Sequence, residues 1–322
     1  MMATLYLDHP GATLQYADRR LKILCPENAV ESLPLGSLER LVLTSRCQLD
    51  TGLLLQLAQR GIALSVLSPG VRKVALFQAH THGDARRRYS QVVCCHQSQV
   101  RRRLAALLVA RKLRQQAALL RSVARECPAH ARVCAQTAER LQACAGRLAG
   151  RPPRLARLRG LEGAAAAAFY RSYRLLFAPS LGFHGRNHRP PRDPVNAVLS
   201  LAFVLLTHEA AIALATAGLD SAIGFYHGMG YRRPALACDL AELFRQRVAH
   251  WVWQLFRDRT LRREHFQHTE RTCLLGKAGK QAFYRAWERG KPQLRQRLQR
   301  EAARWASQFS VLHRRFANDA ED

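Results

Sequence analysis

An α+β fold is expected for this chain: a small β-rich N-terminal domain over 1–79, a linker over 80–90, and a larger all-α domain over 91–322. Three observations predict it. Short β-favouring runs separated by turn residues recur through 4–79. From Ser90 onward the composition shifts to Ala, Leu, Arg and Gln with helical periodicity. The 322 residues suffice for two cores, and an apolar fraction of 48% excludes a mainly disordered chain.

The expected strands are Leu5–Leu7, Ala12–Tyr16, Leu21–Leu24, Leu41–Leu43, Ile62–Leu67 and Val71–Phe77, punctuated by His9-Pro10-Gly11 and Ser68-Pro69-Gly70. One helix, Gly52–Arg60, interrupts them, with Asp50 or Thr51 as its N-cap and Gly61 as its stop. Nothing catalytic gathers here, so docking or dimerisation is the expected role. A polar linker carries Arg86-Arg87-Arg88. Amphipathic helices are expected over Val100–Arg125 and Val133–Leu148, and another starts near Glu162, placing that carboxylate in a first turn favoured by the helix dipole.

Asp193-Pro194 reads as N-cap and N1 of an apolar helix, Val195–Ala217. Its most apolar run, Ala197–Thr207, is too short to span a bilayer and is expected as core rather than as a membrane segment. The helix bearing Asp239 and Glu242 is expected to run on through Trp251 and Phe256. Two basic helices split at Gly290-Lys291-Pro292 are expected over Gln281–Phe316. Nine scattered cysteines without a C-x-x-C pair read as reduced thiols of a cytoplasmic protein.

A formal charge of +28, carried mostly by arginine, attracts polyanions, and arginine suits bidentate phosphate contact. The stretch Leu181–Asp193 places Arg186, Arg189 and Arg192 on a loop stiffened by Pro190 and Pro191. Arg232, Arg233 and Arg245 join them as candidate DNA contacts. Asp239 and Glu242 stand one helical turn apart beside a glycine-rich loop that ends at His227. Such a set suits an oxygen-rich divalent-metal site. The same acids could equally pair with Arg245 and Arg247 on a solvated face.

Three segments together resemble the CRISPR-associated protein 1 family. They are L-R-G-x-E-G at Leu158–Gly163, then R-x-x-R-P-P-x-D-P-V-N-A-x-L-S at Arg186–Ser200. The third is G-L-D-x-x-I-G-F-x-H at Gly218–His227, continuing as P-A-L-A-x-D-L-x-E-x-F-R at Pro234–Arg245. The resemblance covers essentially the whole chain. Ala235 stands where a serine is common, and Leu243 follows Glu242 where an acid or proline is usual.

The resemblance implies a metal-dependent DNA endonuclease and integrase that inserts short fragments into a CRISPR array. It implies Glu162, His227 and Glu242 as catalytic ligands of Mg²⁺ or Mn²⁺, with Asp239 near the metal. Asn196 is a further candidate for a supporting hydrogen bond. The implied partners are double-stranded DNA, a second copy of the chain joined through the β-rich domain, and a dimer of CRISPR-associated protein 2. The competing readings are a structure-specific repair nuclease and a non-enzymatic DNA-binding scaffold.

Overall fold

The computed structural model describes residues 3–26, 30–67, 74–77, 84–148, 150, 152–187, 190–231 and 233–318. The chain forms two compact units, Met1–Thr81 and His82–Asp322.

In the first unit the strands are β1 (Ala3–Leu7), β2 (Thr13–Ala17), β3 (Arg20–Leu24), β4 (Val30–Pro34), β5 (Leu38–Leu43) and β6 (Gln48–Leu49). The helix α1 (Thr51–Gln59) then precedes β7 (Ala63–Leu67) and β8 (Val74–Phe77). One sheet runs β1-β5-β7-β8, parallel except for the antiparallel β7/β8 pair. The other runs β4-β3-β2-β6, with β2/β3 and β3/β4 antiparallel and β2/β6 parallel. A single core takes Leu14, Leu21 and Ile23 from one sheet, Leu7, Leu41 and Leu64 from the other, and Leu53 and Leu57 from α1. Alternation in β3 shows why: Leu21 and Ile23 face inward while Arg20 and Lys22 do not. Asp50 caps α1 by accepting from Gly52 N, and Gly61 takes the left-handed conformation that ends it.

Pattern reading did not find β4 and β6. Only one residue of β4 is even half-buried, and β6 is two residues long, so neither leaves an apolar signature. The turn expected at Ser68–Gly70, the start of the Val71–Phe77 run and the stretch 78–83 lie outside the described residues.

The second unit is mainly helical. Its helices are α2 (Ala85–His96), α3 (Ser98–Glu126), α4 (Ala131–Arg147), α5 (Leu155–Tyr173), α6 (Pro194–Thr216), α7 (Ala235–Glu242) and α8 (Arg245–Arg257). A two-stranded antiparallel ribbon, β9 (Phe266–His268) and β10 (Cys273–Leu275), interrupts the helices before α9 (Lys277–Asn318), so this unit is not purely α. The helix α3 packs against α4, α5, α7 and α8, and α6 packs against α7, α8 and α9. By length and composition α6 could cross a membrane, but most of it is buried within the fold. It is the core helix that its apolar run suggested.

Four expectations change. Helix α2 begins inside the stretch read as linker, because Asp84 caps it through Arg86 N. Helix α5 begins at Leu155, just after Pro152-Pro153, so Glu162 is in its middle and not its first turn. The dipole explanation of that carboxylate therefore lapses. The helix carrying Glu242 does not run on. Leu243 N and Phe244 N bond to carbonyls three residues back, a tighter turn that buries both side chains before α8 starts. Conversely, the tail is one helix with Pro292 inside it. Proline removes one backbone bond, yet Phe283 and Trp287 before it and Leu298 and Ala302 after it are all buried, which holds both halves in one line.

Candidate active site

The loop that delivers His227 is strapped from four sides. From α2, fully buried Gln91 donates to Asp220 O and Ile223 O and accepts from Asp220 N, at 2.8, 2.7 and 2.9 Å. From α3, Arg101 Nε reaches Phe225 O at 2.9 Å. From α5, Arg159 Nη2 reaches Tyr226 O at 3.2 Å, one turn before Glu162 on the same helix. The fourth strap is Asp239 of α7, which is fully buried. Its Oδ2 accepts from Phe225 N and Tyr226 N at 2.9 and 3.0 Å, and its Oδ1 accepts from His227 N at 2.9 Å.

Asp239 Oδ1 also lies 2.6 Å from His227 Nδ1. A carboxylate accepts only, so the imidazole proton sits on Nδ1 and the Nε2 lone pair is left for a ligand. Close approach makes this possible. A Cβ on Gly224 would stand 2.8 Å from the Ala235 carbonyl carbon and 2.9 Å from Asp239 Oδ2. Glycine is therefore required where the loop meets α7.

The two glutamates meet at a third residue. Lys112 of α3 hydrogen-bonds Glu162 Oε1 and stands 2.6 Å from Glu242 Oε2. On its other oxygen Glu242 meets Arg245 Nε at 2.7 Å. Lys112 and Glu242 are buried, at 8% and 5% exposed, while Glu162 and Arg245 are half-buried. Burial alone would push the Glu242 carboxyl up, but the Arg245 and Lys112 charges outweigh it and bring the carboxyl down to about 2. Burial likewise opposes the Lys112 charge, and Glu242 and Glu162 overcome it, so the ammonium is held above its ordinary range. Tyr226 closes one side. Burial, then the field of Glu162 and Glu242, raises its hydroxyl.

The donor set fits a divalent ion in chemistry: two carboxylates and an imidazole nitrogen, with room for water and phosphate oxygens. Glu242 Oε2 is buried without an aligned hydrogen-bond donor despite the nearby ammonium. Among the described residues no three His, Cys, Asp or Glu side chains stand around a single ion position. The glutamates close on Lys112 instead, with His227 near Glu242.

The other expected residues divide. Asn196 is fully buried, but it donates to Gly185 O and Asp193 and accepts from Asn187 N and, at 2.7 Å, from Arg186. It ties Gly185, Arg186 and Asn187 to Asp193 rather than reaching the glutamates. Arg186 also bonds Ser200 and stacks on Phe203, whose ring receives Arg245 at 4.7 Å. These two arginines are bound into the fold, whereas Arg192 and Arg233 are exposed. Arg189 and Arg232 lie outside the described residues. A cleft of about 410 Å³, lined by Ala166, Tyr170, Arg171 and Arg186 among others, continues the α5 face that bears Glu162. A Cβ at Gly160 or Gly163 would meet nothing within 4 Å, so the helix beside Glu162 is uncrowded.

Lys112 escaped the sequence reading, though a signal existed. Positions 105, 109, 112, 116 and 120 share one helical stripe, and all five are buried. A lysine on an apolar stripe needs buried acids.

Residues 5–289 match the family described as CRISPR associated protein Cas1. The CRISPR-associated endonuclease Cas1 1 of Thermodesulfovibrio yellowstonii is 30% identical over 322 residues, covering 99% of both chains. A Cas1 protein from Thermotoga maritima has the same fold, with a TM-score of 0.83 at 20% identity, covering 96% of this chain and 97% of that one. A chain of a Cas6-RT-Cas1–Cas2 complex also has it, with a TM-score of 0.80 at 19% identity, covering 97% of this chain and 35% of that one. The class is thus that of the nucleases and integrases of CRISPR adaptation. The chain belongs to the Cas1 family.

Proposed function

We propose that the protein is a divalent-metal-dependent DNA endonuclease and integrase that inserts short DNA fragments into a CRISPR array, with Glu162, His227 and Glu242 holding Mg²⁺ or Mn²⁺. One observation carries the site assignment. Carboxylates from α5 and α7, far apart in the chain, converge on one buried cation beside a histidine whose free nitrogen is fixed by Asp239. A bound ion would polarise the scissile phosphate and stabilise the departing oxygen. The protein's own part is to hold the Glu242 carboxylate ionised, fix the imidazole tautomer and leave the face beside Glu162 open for DNA. Water as nucleophile gives cleavage, and a fragment's 3′-hydroxyl gives integration, through the same in-line geometry.

The partners follow from the same reading: double-stranded DNA on the arginine-rich surface, a second copy through the β-rich unit, and a dimer of CRISPR-associated protein 2. Two strand-transfer events are needed, one at each end of a repeat, so one active site is too few. The place of action is the prokaryotic cytoplasm.

The test uses a labelled fragment and a repeat-bearing plasmid with Mn²⁺. Glu162→Gln, His227→Ala and Glu242→Gln are each expected to abolish cleavage and strand transfer while retaining fragment binding, which rests on arginines elsewhere. Full activity in all three variants would refute the ligand assignment.

A further inference from the structure

We infer that Lys112 is a resident counter-cation that occupies the meeting point of Glu162 and Glu242 until a divalent ion displaces it. The inference rests on the proposed ligation by those two glutamates. Three observations carry it.

The first is placement. One buried ammonium serves two carboxylates on different helices, one buried and one half-buried, where their charges would otherwise repel. The second is incomplete satisfaction. Glu242 Oε2 is buried and 2.6 Å from Lys112 Nζ, yet no donor among the described residues is aligned to it. The contact supplies charge without saturating the lone pairs, so a harder cation gains by entering. The third is residue type. Only six lysines stand among 51 basic residues, and one of them is here. A guanidinium would clamp a carboxylate through a rigid planar fork, whereas an ammonium on a four-carbon stem is a point charge that can withdraw.

The consequence is linkage. Whatever holds the glutamates together without metal competes with metal for the same oxygens, and each weakens the other by the same factor. Lys112 therefore keeps the carboxylates gathered before loading, at some expense in metal affinity. Arg245 does not share this role, because it takes the opposite oxygen of Glu242 and has no contact with Glu162 of the kind Lys112 makes.

The experiment measures Mn²⁺ binding by calorimetry and Tm with and without Mn²⁺, in the full chain and in Lys112→Met. The metal-free variant is expected to melt on the order of 5–10 °C lower, because buried Glu242 and half-buried Glu162 lose their shared partner. Its Mn²⁺ affinity is expected to tighten about five- to tenfold, and Mn²⁺ should recover most of the lost Tm. An unchanged or weaker affinity, or an equal fall in Tm with and without the ion, overturns the inference. Lys112→Arg covers the case in which the methionine variant does not fold. A clamped guanidinium should weaken Mn²⁺ binding about tenfold, and unchanged or tighter binding there also overturns it. Should the unaltered chain bind no Mn²⁺, or bind it equally well as Glu162→Gln and Glu242→Gln, the ligation itself fails and this inference with it.

Discussion

Asp239 does more in the site than either proposed glutamate ligand, although it is not assigned to the metal. One side chain receives three consecutive backbone amides and an imidazole proton. Asp239→Asn would turn an amide N–H₂ toward at least one of those donors. A loss of about 2–3 kcal/mol in urea unfolding is expected, with a fall in strand transfer about 10–100-fold in extent at unchanged DNA binding. Glu242 provides a separate residue-scale check. Its folded carboxyl lies near 2 against an ordinary 4.5, so its ionisation stabilises the fold fully above 4.5. That contribution is lost as pH falls from about 4.5 through 2. Acid unfolding of the intact chain should therefore show a steeper loss in this window than Glu242→Gln. Parallel profiles would mean that the Lys112 and Arg245 charges do not act as described.

At the scale of elements, the site depends on how tightly one loop is pressed against α7. Gly224→Ala would place a methyl group 2.8 Å from backbone, and neither partner can yield. Overpacking of this kind costs about 1–3 kcal/mol, and the displaced loop should carry His227 away from Asp239. Urea unfolding and the imidazole Nδ1 proton signal in NMR would register the two effects independently. Two arginines make the same point. Arg159 and Arg101 come from an excess that suggests nucleic acid, yet both are used to tie the loop through its carbonyls. Charge counting alone does not separate arginines that tie the fold from those that face a polyanion.

Over the whole molecule, positive charge still dominates. Arg103, Arg114 and Arg121 on α3 and Arg285, Arg289, Arg297, Arg300 and Arg304 on α9 are exposed. Burial, then repulsion by Arg297 and Arg111, holds the Arg247 guanidinium below its ordinary value, so like charges from three helices crowd together. A phosphate backbone relieves such crowding. Fragment binding should weaken steeply with salt, and Arg247→Gln and Arg297→Gln should each reduce the log–log slope by about one. A flat salt dependence would contradict a phosphate-dominated surface. Sedimentation of the chain at micromolar concentration is expected to give twice the monomer mass, which tests self-association directly.

What the sequence settled by itself was whatever repeats or punctuates locally. The alternation in β3, the Asp50 and Asp193 caps, Gly61 and the apolar run of α6 all emerge from patterns within a few residues. Resemblance to the family's motifs also singled out Glu162, His227, Asp239 and Glu242 as candidate residues. Tertiary structure decided which charge meets which. Lys112 lies 50 positions from Glu162 along the chain, a separation at which no periodicity carries information. The break after Glu242 and the continuity across Pro292 were likewise decided by what each turn could bury. Local propensities differ by about 1 kcal/mol per residue or less outside proline, whereas burying an aromatic or pairing a buried ion outweighs that. Non-local contacts therefore had the final say.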